Sequence, residues 1–302
     1  MKRKSKGGAG WAASFKGTKR IWAVKGLGGH VLMGLYVVLF AVLMLGFYSF
    51  FAGVGMILMN DAEVSRLVTA VISLAGAVVL LLLYALVTRL VEKQWPADIK
   101  MQDCLRGALT GVFLGVSIFV VTTLILLLSG HCTIDAMPTR LTGDQWLMHG
   151  VNLVFFLLVG TGEEIAFRGI VFRVIDGKWG TWMAFIVSGL LFGFVHIGNA
   201  GATVLSSLAI AIEAGVILGL AYKLTGTLWT AIAIHWVWNY MEGPVLGFPV
   251  SGTDFGTPMF VSDTNGPDLV TGGPFGPEAS LVMVGVSLLV CLVFWLCWRR
   301  KS

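Results

Sequence analysis

Long apolar runs separated by short polar segments dominate the chain. A helix needs about 20 apolar residues to cross the hydrocarbon core of a bilayer. Eight stretches qualify as candidate spans: Val31 to Ile57, Leu67 to Leu90, Gly107 to Leu128, Trp146 to about Arg173, Thr181 to Ile197, Thr203 to Tyr222, Leu228 to about Val245, and Ala279 to Trp298. Asn60 to Arg66 reads as a polar turn. Val91 to Arg106 reads as a polar connector in which Pro96 can start a short helix, with Ile99, Met101 and Leu105 towards lipid. Ser129 to Asp144 reads as a loop marked by Pro138. Gly243 to Glu278 is rich in Gly and Pro, carries Asp254, Asp263 and Asp268 and no Lys or Arg, and reads as a loop without regular structure. The pattern predicts an all-α, polytopic membrane helix bundle of about eight transmembrane helices around a central polar cavity. The fifth span is short, and its loss would invert everything after it.

Composition supports this pattern. The chain has 302 residues, of which 57% are apolar and only 12% charged, against about 25% charged in a soluble domain. The net charge of +5 does not point to nucleic acid, because the basic residues flank apolar runs. With the N-terminus inside, the cytoplasmic segments hold the basic tail, Arg89 to Arg106, Arg173, Lys178, Lys223 and the C-terminal Arg-Arg-Lys, while the outer loops hold only Arg66 and Arg140. The positive-inside rule then places both termini in the cytoplasm. The expected layout is a basic tail (1–30, with Trp11, Phe15 and Trp22 as interfacial anchors), helices one to three with connectors (31–144), a core of helices four to seven (145–245), an extracytoplasmic Gly/Pro-rich loop (246–278), and a last helix with a basic end (279–302). The first apolar run is too long for a signal-peptide core. Cys104, Cys132, Cys291 and Cys297 form no metal or disulfide framework. No internal repeat is visible.

The chemistry centres on Gly160 to Arg173, which reads GTGEEIAFRGIVFR. Two adjacent glutamates and an arginine lie at or near membrane depth, where ionisable groups are costly and mark function by default. Glu164 and Arg168 have the spacing of an ion pair. Glu163, about 100° round the helix, is left without a partner at that spacing. A desolvated carboxylate beside another is suited to act as a general base. His196 follows Phe192 by four residues, so the ring can hold the imidazole. His235 and Asn239 share a face four residues apart. A Glu and a His can hold and deprotonate water, and a His and an Asn can donate to an oxyanion, which together is peptide hydrolysis. Glu163, His196 and His235 equally offer zinc-type ligands, so Zn is a second option. The signatures HExxH and GxSxG are missing. Glu213, mid-helix, suits either the same cavity or a polar patch between helices. Gly215 and Gly219 suit close helix packing.

The series EExxxR (Glu163, Glu164, Arg168), FxxxH (Phe192, His196) and HxxxN (His235, Asn239) resembles the CPBP intramembrane protease family, which includes the type II CAAX prenyl endopeptidases and bacteriocin-processing and immunity proteins. The approach to the third motif, Gly219 through Tyr222 to Trp229, is also similar, and the resemblance covers about Gly160 to Tyr240. It implies Glu163 as the base, His196 as a holder of the water, His235 and Asn239 as the oxyanion site, and Glu164 and Arg168 as supporting residues. It also implies a membrane protein or lipidated peptide as substrate and partner. A catalytically silent scaffold or immunity factor on the same fold, and an ion-coupled transporter, are the rival expectations.

Overall fold

The computed structural model describes residues 27–60, 66–136, 141–256 and 258–299. Of the expected tail, residues 1–26 with Trp11, Phe15 and Trp22 lie outside the described residues, as do most of the Asn60 to Arg66 turn, Pro138, Arg140 and the terminal Arg300 and Lys301, while residues 27–30 already belong to the first helix.

The protein is an all-α, multi-pass membrane helix bundle. Its helices are α1 (Leu27–Asn60), α2 (Arg66–Val91), α3 (Cys104–Leu128), α4 (Gly143–Glu164), α5 (Arg173–Trp179), α6 (Thr181–Val195), α7 (Val204–Thr225), α8 (Leu228–Tyr240), α9 (Asp268–Thr271) and α10 (Leu281–Arg299). Among the described residues six helices are long and apolar enough to cross a membrane: Val31–Leu58, Arg66–Val91, Met101–Leu128, Gly143–Trp179, Thr181–Gly198 and Val204–Thr225. The seventh and eighth expected stretches are helical too, but α8 has 13 residues before a wider π turn at Met241–Val245. The apolar part of α10 spans Leu281–Val293. The wide turn accommodates Pro244, whose missing N–H would interrupt an α-helix.

The fourth stretch departs most from expectation. It runs from Gly143 through a π-helical stretch at Ile165–Phe172 to Trp179 without leaving the helix, longer than the sequence suggested at both ends. Its N-terminus is fixed by a capping box in which the Thr142 side chain and Gln145 satisfy each other's backbone N–H groups. This helix is central, with 78% of its most apolar window buried, whereas the window of α1 is 22% buried. α1, α2 and α3 therefore present Leu39, Phe50, Leu82 and Phe113 outward, an apolar surface that lipid covers at no cost.

Around α4, helix α3 packs along α8, α6 along α7, and α2 along α4. Small residues allow the close crossings. A Cβ on Gly215 would fall 2.7 Å from the Cα of Gly189, so α7 and α6 touch backbone to backbone there.

Two loops are more ordered than their composition suggested. β1 (Cys132–Ala136) pairs antiparallel with β2 (Val261–Thr264), with Cys132 opposite Thr264. The Gly/Pro-rich segment thus contains a strand, the short helix α9 and 3-10 turns at Gly273–Phe275 and Pro277–Ala279. The pairing partners are more than a hundred residues apart, a relation that local composition does not carry. In the first connector, Pro96 caps a 3-10 turn at Ala97–Ile99, and Met101 and Leu105 are exposed as expected.

Candidate active site

The regular part of α4 ends at Glu163 and Glu164, and the π-helical stretch begins at Ile165. Such wide turns concentrate at functional positions because they re-aim side chains. Glu164 and Arg168 form the expected ion pair, with Arg168 NH1 2.8 Å from Glu164 Oε1 and both side chains fully buried. Arg168 also donates from NH2 to the carbonyls of Ala214 (2.9 Å) and Gly215 (3.3 Å). Its guanidinium lies 4.3 Å from the centre of the Phe192 ring.

Glu164 has a second task that sequence spacing does not reveal. Its Oε1 lies 2.9 Å from His235 Nδ1. A carboxylate only accepts, so the proton sits on Nδ1 and Nε2 faces the cavity. His196 is oriented in the same way, with Nδ1 2.8 Å from the Phe192 carbonyl. Phe192 thus serves both histidines, its ring centre 5.2 Å from His196 and 5.8 Å from His235.

Glu163 meets both oriented rings. Its Oε2 lies 3.9 Å from His196 Nε2 and 3.9 Å from His235 Nε2, and this buried oxygen has no hydrogen-bond partner. The separation is too long for a direct hydrogen bond and suits a bridging water. The Tyr48 hydroxyl of α1 also faces the Glu163 carboxylate. Tyr48 reaches it because residue 162 is glycine; a Cβ there would come within 2.8 Å of the ring. Asn239, one turn beyond His235, lines the same wall.

These groups open on a cavity of about 500 Å³. Its polar floor is Glu163, His196, His235 and Asn239, and its walls are apolar, with Tyr48, Met56, Phe155 and Phe156. Val250, Ser251, Thr253 and Phe255 of the Gly/Pro-rich segment roof it, together with Glu278. Asn199 and Asn152 hold that roof through hydrogen bonds to the carbonyls of Ser251 and Phe255. Glu213 does not line the cavity. It is fully buried behind the wall and faces Glu278 and Glu242.

All seven residues named by the motifs are therefore in one place. Tyr48, Ser251 and Glu278 join them without any signal in local spacing. The option of a metal held by Glu163, His196 and His235 finds no support. Among the described residues, no group of three His, Cys, Asp or Glu side chains comes together as metal ligands.

Residues 145–241 match the family model described as type II CAAX prenyl endopeptidase Rce1-like. No curated protein and no solved structure matches the chain. The match spans α4 to α8, the helices that carry all three motifs. This segment is thus similar to that family, and it lies within a multi-pass membrane protein.

Proposed function

We propose that the protein is an intramembrane endopeptidase that hydrolyses a peptide bond of a membrane-associated or lipidated protein or peptide. The observation that carries this reading is the unpartnered Glu163 oxygen, 3.9 Å from each of two histidine nitrogens at the floor of a cavity inside an apolar bundle.

A water between Glu163 and His196 gives one proton to each acceptor as a hydrogen bond, which turns an oxygen lone pair towards the cavity. Glu163 takes the proton as that oxygen bonds to the substrate carbonyl carbon. The charge that develops on the carbonyl oxygen is met by the Asn239 amide. His235 joins it when protonated on both nitrogens, donating Nδ1–H to Glu164 and Nε2–H towards the cavity. Glu164 and Arg168 hold these rings in register. The proposed step uses water, Glu163, the two histidines and Asn239 without a metal, so chelation with EDTA leaves cleavage unchanged; loss of activity restored by zinc would overturn that point. The basic flanks of the helices support cytoplasmic termini, which reporter fusions at each end would check.

The test is a comparison of membrane-protein termini in cells carrying the wild type or Glu163→Gln at matched expression. New termini seen only with the wild type establish proteolysis and name the cut site. Identical termini, with the variant folded, would overturn the reading in favour of a silent scaffold.

A further inference from the structure

Three carboxylates outside the motifs meet behind one wall of the cavity. Glu213 comes from α7, Glu242 from the wide turn after α8, and Glu278 from the segment before α10. Glu213 and Glu242 are fully buried and Glu278 is 6% exposed. Neither oxygen of Glu213 has a hydrogen-bond partner, nor does Glu242 Oε2. The Glu278 backbone N–H donates to Glu242 Oε1 at 3.4 Å, which makes the two residues direct neighbours. The Ser251 hydroxyl donates to Glu278 Oε1 at 2.5 Å. Of the three, Glu278 alone lines the cavity. The titratable groups that face Glu278 are Glu242 and Glu213 on one side and His196 and His235 on the other.

Such a cluster cannot stay fully ionised. A buried charge needs a counter-charge or a proton. Among the described residues, the buried cations Arg168 and Arg173 are committed to Glu164 and Glu92, and the half-buried Lys223 to Asp176. The carboxyls do not converge as a metal site. Ionising both Glu242 and Glu278, neighbours joined by that backbone bond, would set two buried like charges side by side, and a proton held on one of them relieves the repulsion. Burial also pushes the Glu278 carboxyl above its ordinary range, against the pull of the Ser251 hydrogen bond and the two histidines.

Amide hydrolysis needs such a proton. The leaving nitrogen departs badly as an anion, and the motif residues are occupied as base, oxyanion donors and supports. We propose that Glu278 is the acid that protonates the leaving nitrogen, with Glu242 and Glu213 as positioning residues that keep a proton on it. The proposal rests on the peptidase reading above. In the balanced step, the water oxygen has bonded to the carbonyl carbon and its proton is on Glu163. The C–N bond breaks, its electron pair stays on nitrogen, and that pair takes the proton from Glu278. The acid product and the amine leave, and the proton on Glu163 returns through cavity water to the Glu278–Glu242 pair, restoring both groups.

The test uses the purified full-length protein in lipid nanodiscs, with a peptide spanning the cut site found by the termini comparison and an aryl ester of its acyl half. The phenolate leaves without a proton, so only the peptide needs the acid. Glu278→Gln keeps an oxygen that can accept from Ser251; it slows the peptide about 10²-fold and leaves the ester rate close to wild type. Infrared spectroscopy adds a readout independent of turnover. The wild type shows a protonated-carboxyl band at neutral pH that Glu278→Gln and Glu242→Gln each remove or shift and Glu163→Gln does not. Equal slowing of peptide and ester, an unchanged peptide rate, or a band unmoved by both variants would overturn the proposal while leaving the peptidase reading intact. A wild type that cleaves neither substrate would overturn both. Should Glu278→Gln fail to fold, Glu242→Gln carries the same contrast between peptide and ester with a smaller loss.

Discussion

Two buried charge clusters lie along the same central helix and differ in how completely their polar atoms are satisfied. Near the Arg173 end, Arg173 spends all its nitrogens, on Glu92 through NH1 and NH2 and on the Gly169 carbonyl through Nε. Glu92 uses both oxygens and also accepts from the Tyr36 hydroxyl. Beside them Asp98 accepts from the Tyr84 and Tyr222 hydroxyls, tying the first connector to α2 and α7. Near the Glu163 end, Glu163 keeps a buried oxygen with no partner and stands 3.9 Å from two histidines. The first cluster binds elements together: its Arg173–Glu92 pair is fully spent, and Asp98 Oδ1, walled off from the cavity, is its one atom without a partner. The second withholds a bond from the fold, and that unmet capacity is what a water or substrate can fill.

The widest separation of the two comes from Glu163→Gln. Losing the base lowers cleavage about 10³-fold. The change also replaces a buried carboxyl group whose Oε2 has no hydrogen-bond partner, so the unfolding midpoint stays the same or rises. Assay of the cut peptide together with thermal unfolding in nanodiscs checks both halves. A variant that cleaves normally would erase the distinction drawn above.

Glu92→Ala is the mirror experiment. It leaves the Arg173 guanidinium buried without its counter-charge, which costs about 3–5 kcal/mol, while cleavage per folded molecule is kept. The same pair gives a pH signature. Burial raises Glu92, but the Arg173 guanidinium and the hydrogen bonds outweigh it and hold the carboxyl below its ordinary value of 4.5. A depressed carboxylate contributes stability that is present above its unfolded value and lost as pH falls through its folded value. The wild type therefore loses stability on acidification below 4.5, and Glu92→Gln flattens that slope. Unfolding midpoints measured across acid pH decide it; equal slopes would show that the pair does not differ between folded and unfolded states.

Glu164→Gln probes the join between the two roles. Glu164 Oε1 serves Arg168 at 2.8 Å and His235 at 2.9 Å. An amide in its place leaves Arg168 without a counter-charge and offers His235 only a weaker, uncharged acceptor. Both stability and turnover fall, the latter about 10²-fold, with KM little changed because the cavity walls are untouched. Loss of stability alone would reduce Glu164 to a packing role.

How much of this was legible depends on sequence distance. The helices follow from apolar runs, and relations of four residues were readable: Glu164 with Arg168, Phe192 with His196, His235 with Asn239. Relations made by tertiary folding were not. His235 finds Glu164 across 71 residues and Arg173 finds Glu92 across 81, and nothing in either neighbourhood names the other. The roof over the cavity was missed for a related reason. Gly and Pro in 243–278 disfavour regular structure, yet the segment is ordered by pairing with β1 and by bonds from Asn152 and Asn199. Glu213 could be placed in the membrane but not towards a partner, because its partners lie on two other elements.

The smallest effect is expected at Tyr48, the one group that α1 extends to the Glu163 carboxylate. Tyr48→Phe keeps the ring that fills the space beside Gly162 and removes only the hydroxyl. A net hydrogen bond is worth about 0.5–1.5 kcal/mol, so turnover changes by up to about tenfold. The direction is informative. If the hydroxyl steadies Glu163 for water, kcat falls and KM holds. If instead it competes with water for the carboxylate, kcat rises. Steady-state cleavage of the identified peptide by the two proteins distinguishes these, and a variant identical in both constants would show that α1 closes the cavity without touching its chemistry.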